Sequence, residues 1–256
     1  MRNLFCRVGN KTPIADHIIR LFPEHDLYVE PFVGSGAIYF HKEPSRKEVI
    51  NDLDKELMTG YRLVKQVSSD PTKYEDLNTF EKIHKFYHSA PHTKEDKLTH
   101  LVLKTCNTCG GTGKGDVQES KPSNPYNKLK NIQEYKDRMK NTTILSQDYK
   151  TVIKHYDNAE TLFYLDPPYE NSDQLYSNSE MDYNELSNIL KRIRGKFILS
   201  LNDSSRIRQV FKGFKLKQIQ VKTQGNKGIG NGNARKELII TNFSWFVFDG
   251  FVCLGF

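Results

Sequence analysis

The chain is 256 residues long and carries 38 Lys+Arg against 31 Asp+Glu, a formal net charge of +7. That length suits one generous domain, or one domain with a smaller insertion. A mean hydropathy of -0.65 and the lack of any apolar run long enough to span a bilayer exclude a helical membrane protein, and the basic balance favours a polyanionic partner such as nucleic acid.

Met1 to Lys11 has no apolar signal-peptide core, so an intracellular, reducing space is expected. Ile14, Ile18, Ile19 and Leu21 recur at helical spacing, and Thr12-Pro13 suits a helix N-cap and first position. Leu27 to Glu30 reads as a short strand, Pro31 to Gly36 as a glycine turn, and Ala37 to Phe40 as the start of a helix; strand, turn and helix open an α/β unit. Glu48-Val49-Ile50 is a second strand ending at Asn51-Asp52, and a helix follows through Leu57, Tyr61, Leu63 and Val64. From about Ser68 to Lys140 the chain turns polar, rich in Lys, His, Asn and Gly and broken by Pro71, Pro91, Pro122 and Pro125. This predicts an inserted, partly helical subdomain with a mobile Gly-rich loop from Cys109 to Gly115. The α/β pattern resumes with a strand at Thr143 to Leu145 and a helix at Tyr149 to Tyr156. Thr161 to Leu165 is a buried apolar strand that ends at Asp166-Pro167-Pro168-Tyr169. A helix through Leu186, Ile189, Leu190 and Ile193, a strand at Lys196 to Leu201, and a long hairpin of Lys215 to Lys222 with Glu237 to Thr241 follow. The aromatic, apolar tail from Ser244 to Phe256 suits either a further packed strand or an appendage.

Two segments carry chemistry. In open α/β sheets ligands bind beyond the carboxyl ends of the strands, where Asp166-Pro167-Pro168-Tyr169 stands. Consecutive prolines fix φ twice and remove two backbone donors, so this rigid turn offers acceptors. The Asp166 carboxylate and the Pro167 carbonyl can hold an amino group, and Tyr169 can stack on a ring, which suits a planar substrate bearing NH2. The same four residues also suit a tight turn with a structural Asp. In Glu30-Pro31-Phe32-Val33-Gly34-Ser35-Gly36 two glycines let the backbone approach a ligand, and Asp52 ends the next strand, where an acid accepts bonds from ribose hydroxyls. The missing third glycine argues against a dinucleotide pyrophosphate turn. An Asp at 52 also suits a helix N-cap.

The order of Gly9-Asn10-Lys11, Glu30 to Gly36, Asn51-Asp52, a polar insertion, Ser146-Gln147-Asp148-Tyr149 and Leu165 to Tyr169 resembles the Dam-type DNA adenine methyltransferases over about Leu4 to Phe243. The resemblance implies a Rossmann-like α/β methyltransferase sheet with helices on both faces. It implies a catalytic domain of residues 1–67 and 141–243, an inserted, mainly helical target-recognition subdomain at 68–140, and leaves 244–256 as a tail of unassigned role. It implies S-adenosylmethionine as cofactor, bound by Arg7, Lys11, Glu30, Pro31, Phe32, Gly34, Ser35, Gly36, Asp52, Asp148, Tyr149 and Asp166. Lys11 corresponds to the basic residue near the cofactor's methionine carboxylate, and Asp148 to a polar residue near its adenine. Asp166, Pro167, Pro168 and Tyr169 are the implied catalytic residues, with direct methyl transfer to an extruded adenine and no metal. Double-stranded DNA is the implied partner, for a monomer working beside a cognate restriction endonuclease.

The chain departs from the family pattern at Gly9-Asn10-Lys11, where Gly-Gly-Lys is usual, and at Cys106 to Gly115, which replaces an Asn-rich stretch with an aromatic and an Arg. Ser123-Asn124-Pro125-Tyr126 matches a later segment of the recognition region, so Lys114, Asn124, Pro125 and Tyr126 are candidate DNA contacts. Lys227, Arg235 and Lys236 on the late hairpin are candidates for the phosphate backbone. The stretch from Cys106 also resembles one unit of the zinc modules of DnaJ-type chaperones, but one Cys pair is short of four ligands. The four cysteines, Cys6, Cys106, Cys109 and Cys253, imply no disulfide framework. An amino or amide methyltransferase on RNA, cytosine or protein, or a catalytically inactive DNA-binding relative, are the alternatives.

Overall fold

Alternation along the strands explains the layers. The computed structural model describes residues 3–7, 9–108, 115–119, 123–169, 181–221, 235–248 and 251–254, with the backbone alone at 221, 235, 245–248 and 251–254. The expected Gly-rich loop falls largely outside these residues. In chain order the elements are α1 (Ala15–Ile19), β1 (Leu27–Glu30), α2 (Ala37–His41), β2 (Lys47–Asn51), α3 (Lys55–Val64), α4 (Phe80–Tyr87), α5 (Lys94–Cys106), α6 (Tyr126–Leu129) and α7 (Ile132–Met139). They continue as β3 (Thr142–Leu145), α8 (Tyr149–Tyr156), β4 (Thr161–Leu165), α9 (Tyr183–Leu190), β5 (Lys196–Asn202), α10 (Ser205–Val210), β6 (Lys215–Val221), β7 (Arg235–Thr241), β8 (Trp245–Phe248) and β9 (Phe251–Leu254). Seven strands form one sheet in the order β3-β2-β1-β4-β5-β7-β6, with β7 antiparallel to both of its neighbours and the other pairings parallel.

Side chains of period two bury both faces. Tyr28, Ile50, Leu162, Tyr164, Ile198 and Ile239 pack with α1, α2 and α3, whereas Val29, Val49, Phe163, Leu165, Leu199 and Ile240 pack with α8, α9 and α10. This is the expected Rossmann-like α/β sheet with helices on both faces.

The polar segment between α3 and β3 joins the first of these cores. Leu98, Leu101 and Val102 of α5 and Ile132, Tyr135 and Met139 of α7 share a cluster with Leu57, Met58 and Tyr61 of α3. At the α3–α5 crossing a Cβ at position 60 would lie 2.2 Å from Leu101 Cδ2 and 2.8 Å from Phe5 Cζ, so any larger residue would force those side chains to shift. A buried charge cluster adds a second tie. The Glu48 carboxylate takes Lys42 Nζ at 2.5 Å and both Arg138 terminal nitrogens, and Arg138 also donates to the Tyr39 carbonyl at 2.7 Å.

Two local expectations are corrected, one helix was missed, and one open alternative is narrowed. Thr12 is not a cap; it opens a 3-10 turn, and Asn10 Oδ1 accepts its backbone N–H at 3.0 Å. The helix α10 has no counterpart in the sequence reading, because six residues with one fully buried apolar side chain, Ile207, give little periodicity. Cys6 and Cys106, 100 residues apart, form a disulfide with a Cα–Cα distance of 5.0 Å, because the N-terminal segment packs on the end of α5. The tail adds no strand to the main sheet, since β8 and β9 pair only with each other. Among the described residues no helix is long and apolar enough to cross a membrane.

Replacing Glu48 with Gln leaves two buried cations without their carboxylate and should cost about 3–5 kcal/mol. Replacing Glu56, whose pair with Lys104 is largely exposed, with Ala should cost below about 1 kcal/mol. Denaturant unfolding of the two variants beside wild type checks the contrast; equal losses would refute the claim that the Glu48 cluster is a buried tie.

Candidate active site

Beyond β1 the chain passes to β2 on one side, and beyond β4 it passes to β5 on the other. Loops leaving adjacent parallel strands in opposite directions open a crevice at their carboxyl ends, which is where ligands bind in such sheets. Residues 31–36 leave β1 and residues 166–169 leave β4, so the two motifs meet there.

The glycine loop is held from several directions. Gly34 and Gly36 have φ of +47° and +71°, a region that side chains disfavour. The Gly34 amide donates to Asp52 Oδ2 at 3.0 Å, and the Tyr61 hydroxyl donates to the Gly34 carbonyl at 2.8 Å. Asn51 clamps three strand ends: its Nδ2 donates to the carbonyls of Pro31 at 2.9 Å and Gln147 at 3.0 Å, and its Oδ1 accepts from the Gln147 amide at 2.8 Å. Ser35 Oγ accepts from Asn3 Nδ2 at 3.1 Å.

Helix α3 is capped by Asp54, not Asp52. Asp52 instead faces the glycine turn, and burial raises its carboxyl above the usual range while the Asp54 and Gly34 amides counter. With each oxygen holding one amide, the carboxylate retains acceptor capacity for hydroxyl donors. Phe32 and Tyr149, both half-buried, pack with ring centroids 5.2 Å apart. Asp148 caps α8 through the Lys150 amide at 2.8 Å. Arg7 pairs with Asp54 beside the end of β2.

On the β4 side one ammonium serves two carboxylates. Lys11 is buried; its Nζ lies 2.7 Å from Asp166 Oδ1, 3.6 Å from Glu237 Oε1 and 4.6 Å from the centre of the Tyr169 ring. Lys11 also donates to the Gly9 carbonyl at 3.0 Å, so the Gly9-Asn10-Lys11 segment is wrapped onto the site. The Tyr169 hydroxyl donates to Glu237 Oε1, as does Ser200 Oγ at 2.5 Å. Tyr183 donates to the Pro168 carbonyl at 2.5 Å. Burial, then the Asp166 and Glu237 charges, push the Tyr169 hydroxyl well above its ordinary value, so it remains a donor.

Glu30 ends β1 and is fully enclosed. Burial pushes its carboxyl up to about 8; the Tyr28 hydroxyl, 2.7 Å from Oε2, works against this and the Asp166 charge adds to it. At neutral pH Glu30 therefore adds little negative charge beside Asp166.

Of the expected residues, the structure brings Lys11, Asp166 and Tyr169 into contact and sets Gly34 against Asp52. Glu237, Ser200, Asn51, Tyr61 and Tyr183 were missed. An acid opening the apolar run Glu237-Leu238-Ile239-Ile240 was the one signal available for the first of them. Of the candidate DNA contacts, Asn124 engages both ends of its amide within the protein, accepting from the Tyr126 amide at 2.8 Å and donating to the Glu75 carbonyl, 49 positions away, at 3.1 Å. Pro125 is buried and Tyr126 half-buried at the start of α6, and Lys236 is exposed on β7. Lys114, Lys227 and the side chain of Arg235 lie outside what is described.

Comparison with known proteins adds the following. The sequence model of the family described as D12 class N6 adenine-specific DNA methyltransferase matches residues 8–224. The Type II methyltransferase M1.LlaDCHI of Lactococcus lactis subsp. cremoris is 25% identical over 272 residues, covering 92% of this chain and 93% of its own. The Type II methyltransferase M.MjaIII of Methanocaldococcus jannaschii is 26% identical over 285 residues, covering 92% and 96%. The DNA adenine methylase of Escherichia coli (strain K12) is 23% identical over 175 residues, covering 63% and 62%.

The state of Glu30 makes a pH prediction. Between its ordinary 4.5 and about 8 the folded chain holds a proton that the unfolded chain releases. Stability from neutral Glu30 is thus complete below about 4.5 and is lost as pH rises through about 8. Unfolding free energies across that range should fall more steeply for wild type than for Glu30→Gln. Parallel curves would show that Glu30 does not hold its proton.

Proposed function

Because the chain belongs to the D12 class N6 adenine-specific DNA methyltransferases, we propose that Asp166, Pro167, Pro168 and Tyr169 carry its reaction, with S-adenosylmethionine as the methyl donor. The reaction itself, methyl transfer to the exocyclic amino group of adenine in DNA, is that of the family. The observation that carries the assignment of residues is the meeting of Lys11, Asp166, Tyr169 and Glu237 beside the glycine loop.

The residues fit the donor. Asp52 suits a ribose diol, the Phe32–Tyr149 pair suits an adenine ring, and Lys11 suits an amino-acid carboxylate. Arg7, Glu30, Pro31, Gly34, Ser35, Gly36 and Asp148 frame that side of the crevice. S-adenosylmethionine supplies an electrophilic methyl group on a sulfonium.

The chain's own part is to bind, orient and neutralise. The Asp166 carboxylate and the Pro167 carbonyl accept hydrogen bonds from the adenine amino group. Those bonds draw its lone pair out of conjugation with the ring and aim the nitrogen. Tyr183 engages the other proline carbonyl, which leaves the turn rigid. Lys11 orients Asp166 through Oδ1, and Glu237 anchors the hydroxyl of Tyr169, whose ring stacks on the base. As positive charge develops on the amino nitrogen, Asp166 stabilises it and accepts the released proton. Positioning and electrostatics supply the rate, without a covalent intermediate on the protein.

Reaching that crevice requires the adenine to leave the duplex stack. Residues 68–140 serve as the target-recognition subdomain, with Lys114 and Asn124 to Tyr126 near the DNA. Lys227, Arg235 and Lys236 hold the backbone. The enzyme acts as a monomer on double-stranded DNA, as the modification partner of a restriction endonuclease that cuts the same site. The Type II names of two relatives support that pairing.

Labelled S-adenosylmethionine and unmethylated DNA provide the test. Wild type should place label on adenine, and Asp166→Ala should lose roughly 10²–10³-fold in kcat. Label on cytosine, or transfer unaffected by Asp166→Ala, would overturn the assignment. A second experiment addresses the backbone contact: Lys236→Ala should weaken binding alike for all sequences and lower the salt slope by about 1. An unchanged slope would remove Lys236 from the interface.

A further inference from the structure

The cysteine stretch was the metal signal read from the sequence, and among the described residues another cluster in the same insertion brings three ligand atoms together. We infer that His84, His88 and Asp116 form a binding site for a divalent transition-metal ion, with zinc the best match to the ligands. His84 and His88 stand four residues apart on one face at the end of α4, where i, i+4 side chains are neighbours. Their Nε2 atoms converge on one carboxylate: His84 lies 3.1 Å from Asp116 Oδ2, and His88 lies 3.1 Å and 3.2 Å from Oδ1 and Oδ2. The two rings are 4.3 Å apart at their centres, and all three ligand atoms fall within 4.8 Å of one another.

Two imidazoles with a carboxylate are a metal's ligand set. Tetrahedral zinc with bonds of about 2.0–2.1 Å places its ligand atoms about 3.3 Å apart, close to the nitrogen–oxygen separations here. The third ligand is built in place. Val117 is buried against Ile83 and Leu103, which fixes its neighbour Asp116 beside α4. The Val117 amide donates to Asp116 Oδ1 at 2.7 Å, and the Gln118 amide to the Asn107 carbonyl at 2.8 Å. Such outer contacts orient a metal's ligands. The site also lies at the carboxyl end of α4, where the helix dipole favours a cation. All three side chains are about half exposed, so an ion can enter and a fourth position remains for solvent. Bound metal pins residues 115–119 to α4, inside the segment read as target recognition.

Untagged, full-length protein titrated calorimetrically with Zn2+ tests this. One ion per chain is expected, with binding at least tenfold weaker in His84→Ala, His88→Ala and Asp116→Asn. Co2+ should give a nitrogen–oxygen spectrum without a thiolate charge-transfer band, which separates this site from Cys109 and Cys253. Wild type should select Zn2+ over Mg2+ and Ca2+, a comparison that needs no variant. Absence of stoichiometric binding, a thiolate band, equal response to Mg2+, or unchanged affinity in His84→Ala/His88→Ala would each overturn the site. DNA methylation reports separately on the catalytic reading.

Discussion

Two parallel neighbours, β1 and β4, release the chain to opposite sides of the sheet, and the crevice this opens is the condition for everything else. The glycine turn and the Asp-Pro-Pro-Tyr turn are useful only because both project into that crevice. Right-handed crossovers through helices on each face keep the strands parallel there, and burial of both faces locks the register. One residue of slip in β4 would turn Leu162 and Tyr164 into the core occupied by Phe163 and Leu165.

Charge in the crevice is arranged with little margin. Asp166 and Glu237 bring two carboxyl groups to one ammonium, Lys11, and Glu30 adds a third that acts on Asp166. Burying charges costs more than it returns unless they are paired, so such a cluster is poor as a source of stability and points to function. Enclosure removes the charge of Glu30 at neutral pH, and hydrogen bonds from Tyr169 and Ser200 support Glu237. What remains is an Asp166 oriented by Lys11, with its surroundings neutralised. In the reaction proposed for these residues, such a setting stabilises the positive charge that develops on the amino nitrogen.

The insertion is tied to this frame by packing and by charge. Gly60 lets α3 and α5 approach closely, and Arg138 of α7 reaches the buried Glu48 of β2. The Cys6–Cys106 bond joins the N-terminal segment, which delivers Lys11 to the site, to the end of α5. The end of α5 therefore shares its supports with the segment that carries Lys11. Relatives at 25–26% identity align over 92% of the chain.

Local chemistry was legible without coordinates. Short apolar stretches ended by Pro, Asn or Asp marked β1, β2, β4 and β5, and the two motifs stood at the ends of β1 and β4. Those features are written in consecutive residues, because strand burial, φ preferences and loop chemistry are short-range properties. The partners of those motifs were not. Lys11 meets Asp166 across 155 positions, and Glu237 meets Tyr169 across 68. Glu237 and Ser200 sit in apolar strands where a lone polar residue shows no direction, and a helix cap stayed open as the second reading of Asp52 until Asp54 was seen to hold that place. The sequence reading passed over His84 and His88, and Asp116 joins them only because Val117 is anchored in a small core with Ile83 and Leu103. Sequence determined which turns and strands form; the strand order and the packing of the helices decided which charges meet, since a chain's neighbours in space depend on the closure of long loops that no local pattern encodes.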